Sequence, residues 1–492
     1  MTGPLPAAVA PAGRDRWLLP AVAAVTLGIA VLLAVQLPLD PNIEMTGSDS
    51  PFTDEGWSVL GARNAVLLGR WITDEWQLVI AQLPFNAAAY VSFQLFGVGI
   101  IQARLVSVLA TVAAVAVIGV IVGRRYGTTA GVLAALALGT APLVLFYGRL
   151  ALLEAMVMAA LVAALALLLA PGGRTWLPGA LAGLAMAVAL GTKPSAAAPI
   201  AGIVAGALLA GGALRPQLGG RAAVAVAVVV VAGIAWATGV TLAGISIPAA
   251  LRPWPETNAV APPDVLVARA WQYLSGGNDQ ATTRNATLLI GALVGGAVAW
   301  RQRRSLDPQQ RVLVAAAVGW AVMGILVLLV VTYRPNRYTV PLLPPLAILT
   351  AVGASLLLAS VARAGARRVL AGAIVVAVTA AGASHFHRWQ AIATYRLPQI
   401  QEEMVQLLPP GAVVHGWFAS TLAMRAPVVT IIAQGEVNRG DTYQRYGVRW
   451  LLLERRGEPV DWIEEHRDAW ANRQPMGCWA WQRGTTCLDR LP

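Results

Sequence analysis

Apolar residues in this chain fall in blocks of roughly 16–24, the length that crosses a hydrocarbon core, and short gaps between them carry most of the charge. Reading blocks against gaps predicts about eleven membrane spans, near 17–37, 101–122, 129–146, 153–170, 176–192, 195–213, 222–245, 286–300, 312–331, 339–360 and 369–385. The first follows Arg14 and Arg16 in the manner of a secretory signal. Its apolar run is longer than a signal core and no convincing cleavage site follows, so a retained anchor is expected. From residue 386 the pattern changes abruptly. Short strand-like runs at Ala412–Val414, Val428–Ile432 and Trp450–Leu453 alternate with helical stretches such as Ile400–Leu408 and Val460–Trp470, the pattern of a small α/β domain. No internal repeat is visible.

Composition excludes a water-soluble globule: 57% of residues are hydrophobic and 12% charged, about half the charge of a soluble domain. The net charge of +12 would suggest nucleic acid in a soluble chain, but its distribution says otherwise. With the N-terminus in the cytoplasm, the cytoplasmic gaps receive Arg14, Arg16, Arg124, Arg125, Arg174, Arg215, Arg221, Arg301, Arg303, Arg304, Arg311, Arg363, Arg367 and Arg368, opposed only by Asp15 and Asp307. The basic excess is therefore confined to one side, where it sets topology and meets anionic lipid. No nucleic-acid partner is expected. An odd number of spans then puts the C-terminus outside. The expected architecture is an all-α polytopic membrane domain over 1–385, followed by a small extracytoplasmic α/β domain over 386–492.

Three features face outward in this topology. The loop at about 38–100 is acidic, the loop at about 246–285 is rich in proline and aromatics, and the third is the tail itself. Two cysteines exclude a disulfide scaffold and a multi-cysteine metal site. Both, Cys478 and Cys487, lie in the tail on the oxidising side. A disulfide between them is expected, the alternative being two buried thiols.

Within the first outer loop, Thr53-Asp54-Glu55-Gly56 opens an amphipathic stretch that runs on to Arg70. Thr53 suits an N-cap and places both acids in the first turn, where unpaired N–H groups favour the ionised carboxylate. Such acids are either simple capping or a base at the membrane surface. Other charges sit at span ends on the same side: Arg149 and Glu154, Lys193 before Pro194, and Arg334 and Arg337 flanked by Tyr333 and Tyr338. Charge at such depth is costly unless paired or functional, so one common site is expected. Lys193 is the only lysine in the chain, every other basic residue being arginine. A compact ammonium suits a single phosphate oxygen. His385, His387, His415 and His466 lack acids or cysteines at ligand spacing and read as surface or interface residues. No Asp-x-Asp metal motif or glycine-rich phosphate loop appears, so neither a divalent metal nor another cofactor is required.

Asp54-Glu55-Gly56-Trp57-Ser58-Val59-Leu60-Gly61-Ala62-Arg63 resembles the opening motif of GT-C glycosyltransferases, in the branch of protein O-mannosyltransferases and lipid A aminoarabinose transferases. Leu83-Pro84-Phe85 through Leu95-Phe96-Gly97 to Arg104-Leu105 is similar to that family's next segment. So are Arg149 with an acid five residues on, Lys193-Pro194, and Arg337-Tyr338-Thr339-Val340-Pro341. The tail's Pro409-Pro410-Gly411 and Tyr446-Gly447-Val448 resemble the outer domain of bacterial members. The resemblance implies a GT-C-like fold in a bacterial plasma membrane. It also implies transfer of a sugar from a polyprenyl-phosphate donor to a hydroxyl of a glycan, lipid or protein, with inversion. Asp54 then matches the general base, and Glu55 a neighbouring acceptor or substrate-positioning group in the same catalytic pair. Lys193, Arg63, Arg337, Arg334 and Tyr338 would serve the donor phosphate, with Arg149, Glu154 and Arg104 in support. Two positions depart from the pattern: Leu83 stands where the family carries a phosphate-binding lysine, and Glu154 where Asp is common. A secondary transporter is the alternative from another class, and an inactive GT-C-shaped scaffold or lipid-binding protein is the second.

Overall fold

The computed structural model describes residues 16–41, 53–74, 80–172, 175–244, 286–331, 335–432, 442–454, 467–481 and 484–492, with isolated positions at 247, 265, 266 and 268. Arg334, Tyr333, most of the 246–285 loop, His466 and the start of the 460–470 stretch fall outside them.

Each expected apolar block lies on a helix. In chain order the helices are α1 (Leu18–Val35), α2 (Thr53–Ser58), α3 (Leu60–Leu68), α4 (Leu83–Phe96), α5 (Ile100–Tyr126), α6 (Thr128–Gly139), α7 (Pro142–Tyr147) and α8 (Leu153–Leu168). They continue as α9 (Trp176–Thr192), α10 (Ala197–Ala210), α11 (Arg215–Leu242), α12 (Ala286–Arg301), α13 (Pro308–Val330), α14 (Leu343–Ser360) and α15 (Ala364–Ala391). Six helical segments among the described residues are long and apolar enough to cross a membrane, and five further apolar helices have 10–17 residues. Long runs of Ala, Val and Leu form helices here because a bilayer offers no partner to an unpaired backbone group. The chain is an integral membrane protein by this measure. The last apolar helix runs on to Ala391, past its expected end near 385.

Helix pairs close through small residues. A Cβ added at Gly202 of α10 would lie 2.2 Å from the Gly319 carbonyl oxygen of α13. Only glycine lets the two backbones cross so closely, the usual means of packing helices where lipid removes the hydrophobic drive.

One end of the bundle is irregular. The expected third span breaks between α6 and α7, where Pro142 cannot continue a helix. A 3-10 turn at Pro194–Ala196 precedes α10, and a 3-10 segment at Asn336–Leu342, containing Pro341, precedes α14. The other end is held by arginines. Arg221 donates to the carbonyls of Leu168, Ala170 and Gly172, covering the orphan acceptors at the end of α8.

Beyond Ala391 the chain forms α16 (Arg396–Leu407), β1 (Val413–His415), α17 (Ala419–Leu422), β2 (Val429–Ile431), α18 (Thr442–Tyr446), β3 (Trp450–Glu454), α19 (Arg467–Ala471), β4 (Gln474–Ala480) and β5 (Thr485–Arg490). The sheet runs β2-β1-β3-β5-β4, parallel where β1 meets β2 and β3, antiparallel at β5. The three strand-like runs read from sequence are β1, β2 and β3. The β4–β5 hairpin was not expected, because β4 is largely exposed and carries no apolar run. Cys478 and Cys487 face each other across this hairpin and are disulfide-bonded.

The α/β region does not stand apart from the rest. Val59, Ala62, Phe85, Ala89 and Phe93 of the outer-loop helices share one buried core with Leu397, Ile400, Met404, Val414, Leu422 and Leu488.

Candidate active site

The irregular backbone at one end of the bundle brings charged side chains together that are far apart in sequence. Pro194 ends α9 and holds Lys193 in extended conformation at its C-cap. Glu154 lies in the first turn of α8, Arg337 and Tyr338 on the 3-10 segment, and Asp54 on α2. Arg337 Nη2 lies 2.8 Å from Asp54 Oδ2, and its Nε 3.5 Å from Glu154 Oε1. Lys193 Nζ donates to the same Glu154 oxygen at 2.6 Å and sits 3.3 Å from the centre of the Tyr338 ring. Two acids and two cations thus alternate in a chain: Asp54, Arg337, Glu154, Lys193.

Exposure separates their roles. The Asp54 and Arg337 side chains are 15% and 12% exposed, whereas Glu154 is 3% exposed. The first two can meet a substrate; Glu154 is an anchor that holds both cations. Burial pushes the Asp54 carboxyl above its ordinary range, against the pull of Arg337. Desolvation thus opposes the preference for the ionised form expected at a helix start.

A small cleft adjoins Lys193 and Tyr338. Its other walls are Val157, Ser195, Ala196, Pro199, Gly324, Val327, Leu328, Pro341 and Leu342. It is an apolar cleft with an ammonium at its rim, suited to an apolar tail carrying an anionic head.

Glu55 does not face this site. It is fully buried, paired with Arg104 through two 2.7 Å hydrogen bonds, and accepts from the Ala151 amide at 2.9 Å. The role of neighbouring acceptor expected for it is therefore corrected: Glu55 is an internal anchor with no open face toward substrate. Arg104 also donates to the carbonyls of Leu37 and Leu39, and Arg149 to those of Gln36 and Leu39. These two arginines fasten the chain leaving α1 and act behind the site. Replacing Arg104 with Met is expected to lower stability by ~3–5 kcal/mol, because it strands a buried carboxylate. A thermal unfolding series in detergent checks this, and Glu55→Gln in the same chain should restore much of the loss.

Arg63 is corrected too. The acidic stretch is not one straight helix: it breaks at Val59, between α2 and α3. Arg63 is fully buried and donates to Asn64 and to the carbonyls of Ala423, Met424 and Ala426. It fastens the outer loop to the α/β region and contacts neither Glu55 nor the pocket. Leu83 is 46% exposed at the start of α4, and the adjoining Pro84 ring packs against Gly191, two residues before Lys193.

Sequence reasoning missed Asn86, whose side chain bridges the break by accepting from the Ala62 amide and donating to the Ser58 carbonyl. A lone amide within an apolar helix was its only signal. It also missed Thr421, whose hydroxyl accepts from the Gly56 amide at 3.1 Å. Nothing local marks that residue. Among the described residues, no three His, Cys, Asp or Glu side chains group as metal ligands.

The family described as dolichyl-phosphate-mannose-protein mannosyltransferase matches residues 85–237. No curated protein sequence matches. Among solved structures, ArnT from Cupriavidus metallidurans bound to undecaprenyl phosphate is similar with a TM-score of 0.63 at 16% identity, over 97% of this chain and 98% of that one. The archaeal oligosaccharyltransferase AglB from Archaeoglobus fulgidus, in complex with an inhibitory peptide and a dolichol-phosphate, gives 0.55 at 12% identity over 90% and 70%. The arabinofuranosyltransferase AftD from Mycobacteria gives 0.55 at 16% identity, over 99% of this chain and 40% of that one. The matched family and these structures are all of the GT-C superfamily, whose fold this chain shares and whose motifs its sequence resembles.

Proposed function

We propose that this chain is a membrane glycosyltransferase that moves a sugar from a polyprenyl-phosphate donor to a hydroxyl acceptor at the outer face of the membrane. The observation that carries it is the chain of Asp54, Arg337, Glu154 and Lys193, whose last member lines a small apolar cleft. The polyprenyl tail occupies the cleft, and the phosphate shares Lys193 and Arg337 with the two carboxylates. Neighbouring folds solved with undecaprenyl phosphate and with dolichol-phosphate support that donor class.

Transfer needs one proton removed and one anion stabilised. The acceptor oxygen attacks the anomeric carbon while Asp54 takes its proton. The bond from that carbon to the phosphate oxygen breaks, and the departing polyprenyl phosphate gains a negative charge beside Lys193 and Arg337. A single displacement inverts the anomeric centre. Tyr338, under the Lys193 ammonium, keeps that cation in place by its ring face. The arginines at the opposite helix ends support an orientation with the N-terminus in the cytoplasm and the α/β region outside. A transporter would hold its charges near the midplane on repeated broken helices; here they gather at one end.

The experiment is transfer by purified protein from a panel of radiolabelled polyprenyl-phosphate sugars to hydroxyl acceptors. Label transfer that needs Asp54 supports the reading; donor binding without transfer from any of them sinks it. The pH dependence has a definite sign. The base must be ionised and its pKa is raised, so activity is present above that pKa and lost as pH falls through it. The acid limb of kcat/KM is expected above the ordinary Asp value of about 3.9, at a pH where exposed carboxylates are still ionised. A limb at or below the ordinary value would show that Asp54 is not the group titrating.

A further inference from the structure

The helix that carries Asp54 is too short to hold itself. Its six residues make little more than one turn, and the first four amides of any helix have no partner within it. The Gly56 amide is one of these, and its partner comes from 365 residues away: Thr421 Oγ1, on α17 of the α/β region, accepts it at 3.1 Å. The two backbones meet here directly. A Cβ on Gly56 would lie 2.4 Å from the Ser420 carbonyl carbon and from the Thr421 nitrogen, so no side chain fits between them.

The turn that meets α2 is itself fixed from two sides. Gln401 of α16 donates to the Thr421 carbonyl at 2.7 Å, while its Oε1 accepts from the Ile100 amide at the start of α5. Arg63 grips the carbonyls of Ala423, Met424 and Ala426 just beyond the turn. At the entry to α16, Asp40 accepts from Thr394 and from the amides of Arg396 and Leu397. The carbonyl of Leu39, its neighbour, is held by Arg104 and Arg149, and Arg104 in turn holds Glu55 beside Asp54. These contacts close a ring: α2, α17, α16, the 36–40 segment, Arg104 and back to α2.

We propose that the α/β region is the positioning element for the catalytic base, with Thr421 as the positioning residue that supplies the missing helix cap of α2 and so sets where the Asp54 carboxylate sits. This rests on the reading of Asp54 as the base. Thr421 acts through the Gly56 amide. Proton transfer depends steeply on geometry, whereas the donor cleft is formed by helices on which Thr421 does not bear. A loss at Thr421 therefore falls on kcat.

The test uses the full-length protein with Thr421→Val, which keeps shape and removes the acceptor, and Thr421→Ser, which keeps the acceptor. Thr421→Val is expected to lower kcat by ~10–100-fold, leave polyprenyl-phosphate binding within about twofold, and speed amide exchange over residues 53–59. Thr421→Ser should restore all three readings toward the parent, and Gly56→Ala should reproduce the loss. Full kcat in Thr421→Val, in a protein that Asp54→Asn inactivates, overturns the positioning role and leaves the base reading intact. If Asp54→Asn transfers normally, the base reading fails on its own account; unchanged exchange over 53–59 in Thr421→Val would separately show that Thr421 does not hold the helix.

Discussion

Asp54→Asn is expected to bind polyprenyl-phosphate sugar as the parent does and to transfer it ~10²–10⁴-fold more slowly, the usual worth of a positioned general base. The substitution is nearly isosteric, and the amide can still accept from Arg337 while no longer taking a proton. Asp54 is the carboxylate that combines three properties: it is open to a substrate, its basicity is raised by burial, and it ends the chain of charges that leads to Lys193. Glu55, adjacent in sequence, offers none of these, since both its oxygens are engaged by Arg104. Glu55→Gln should therefore act on stability with little direct effect on the chemical step. Single-turnover rates for the two variants, beside apparent melting temperatures, separate the two acids. Equal loss of turnover in stable Glu55→Gln and Asp54→Asn proteins would defeat the assignment.

Lys193→Met is the second large effect. It removes the ammonium at the rim of the cleft, where charge grows on the departing phosphate, and turnover should fall by ~10²–10³-fold, as for loss of one donor to a developing oxyanion. The same change leaves Glu154 facing Arg337 without the ammonium, drawing Arg337 toward Glu154 and away from Asp54. Lys193→Arg should recover only part of the rate. A planar guanidinium is broader than the ammonium that rests 3.3 Å from the centre of the Tyr338 ring. Transfer rates with saturating donor, set beside donor affinity measured without acceptor, check both. A Lys193→Met protein that turns over at the parent rate would remove Lys193 from the mechanism.

Much of the site was legible because membrane depth makes charge conspicuous. Glu154, Lys193 and Arg337 each interrupt an apolar run, and no surface of the helices hides such an interruption in sequence. The same rule did not tell partners apart. Arg104, Arg149 and Arg63 are as conspicuous as Arg337, yet they hold backbone carbonyls and the buried Glu55. Whether a buried arginine faces a substrate or a carbonyl depends on which loop lies across from it. Helical periodicity likewise ran straight from Asp54 to Arg70, and the break at Val59 came from Asn86 on another helix. The β4–β5 hairpin escaped because an exposed edge strand needs no apolar alternation, whereas its cysteines were plain.

By itself the sequence determined that the chain is mostly apolar helix, the change of character after residue 386, the cysteine pair and the acids and cations eligible for chemistry. Each of these follows from local composition, since hydrocarbon and water accept different side chains over lengths that can be counted. Only the tertiary structure decided which charges pair, and that of the adjacent acids the one at 54 is partly exposed and paired with Arg337 while the one at 55 is a buried anchor. It also decided that the helix carrying Asp54 meets Thr421, 365 residues on from Gly56. Those outcomes depend on contacts between segments hundreds of residues apart, and no local pattern encodes a distance.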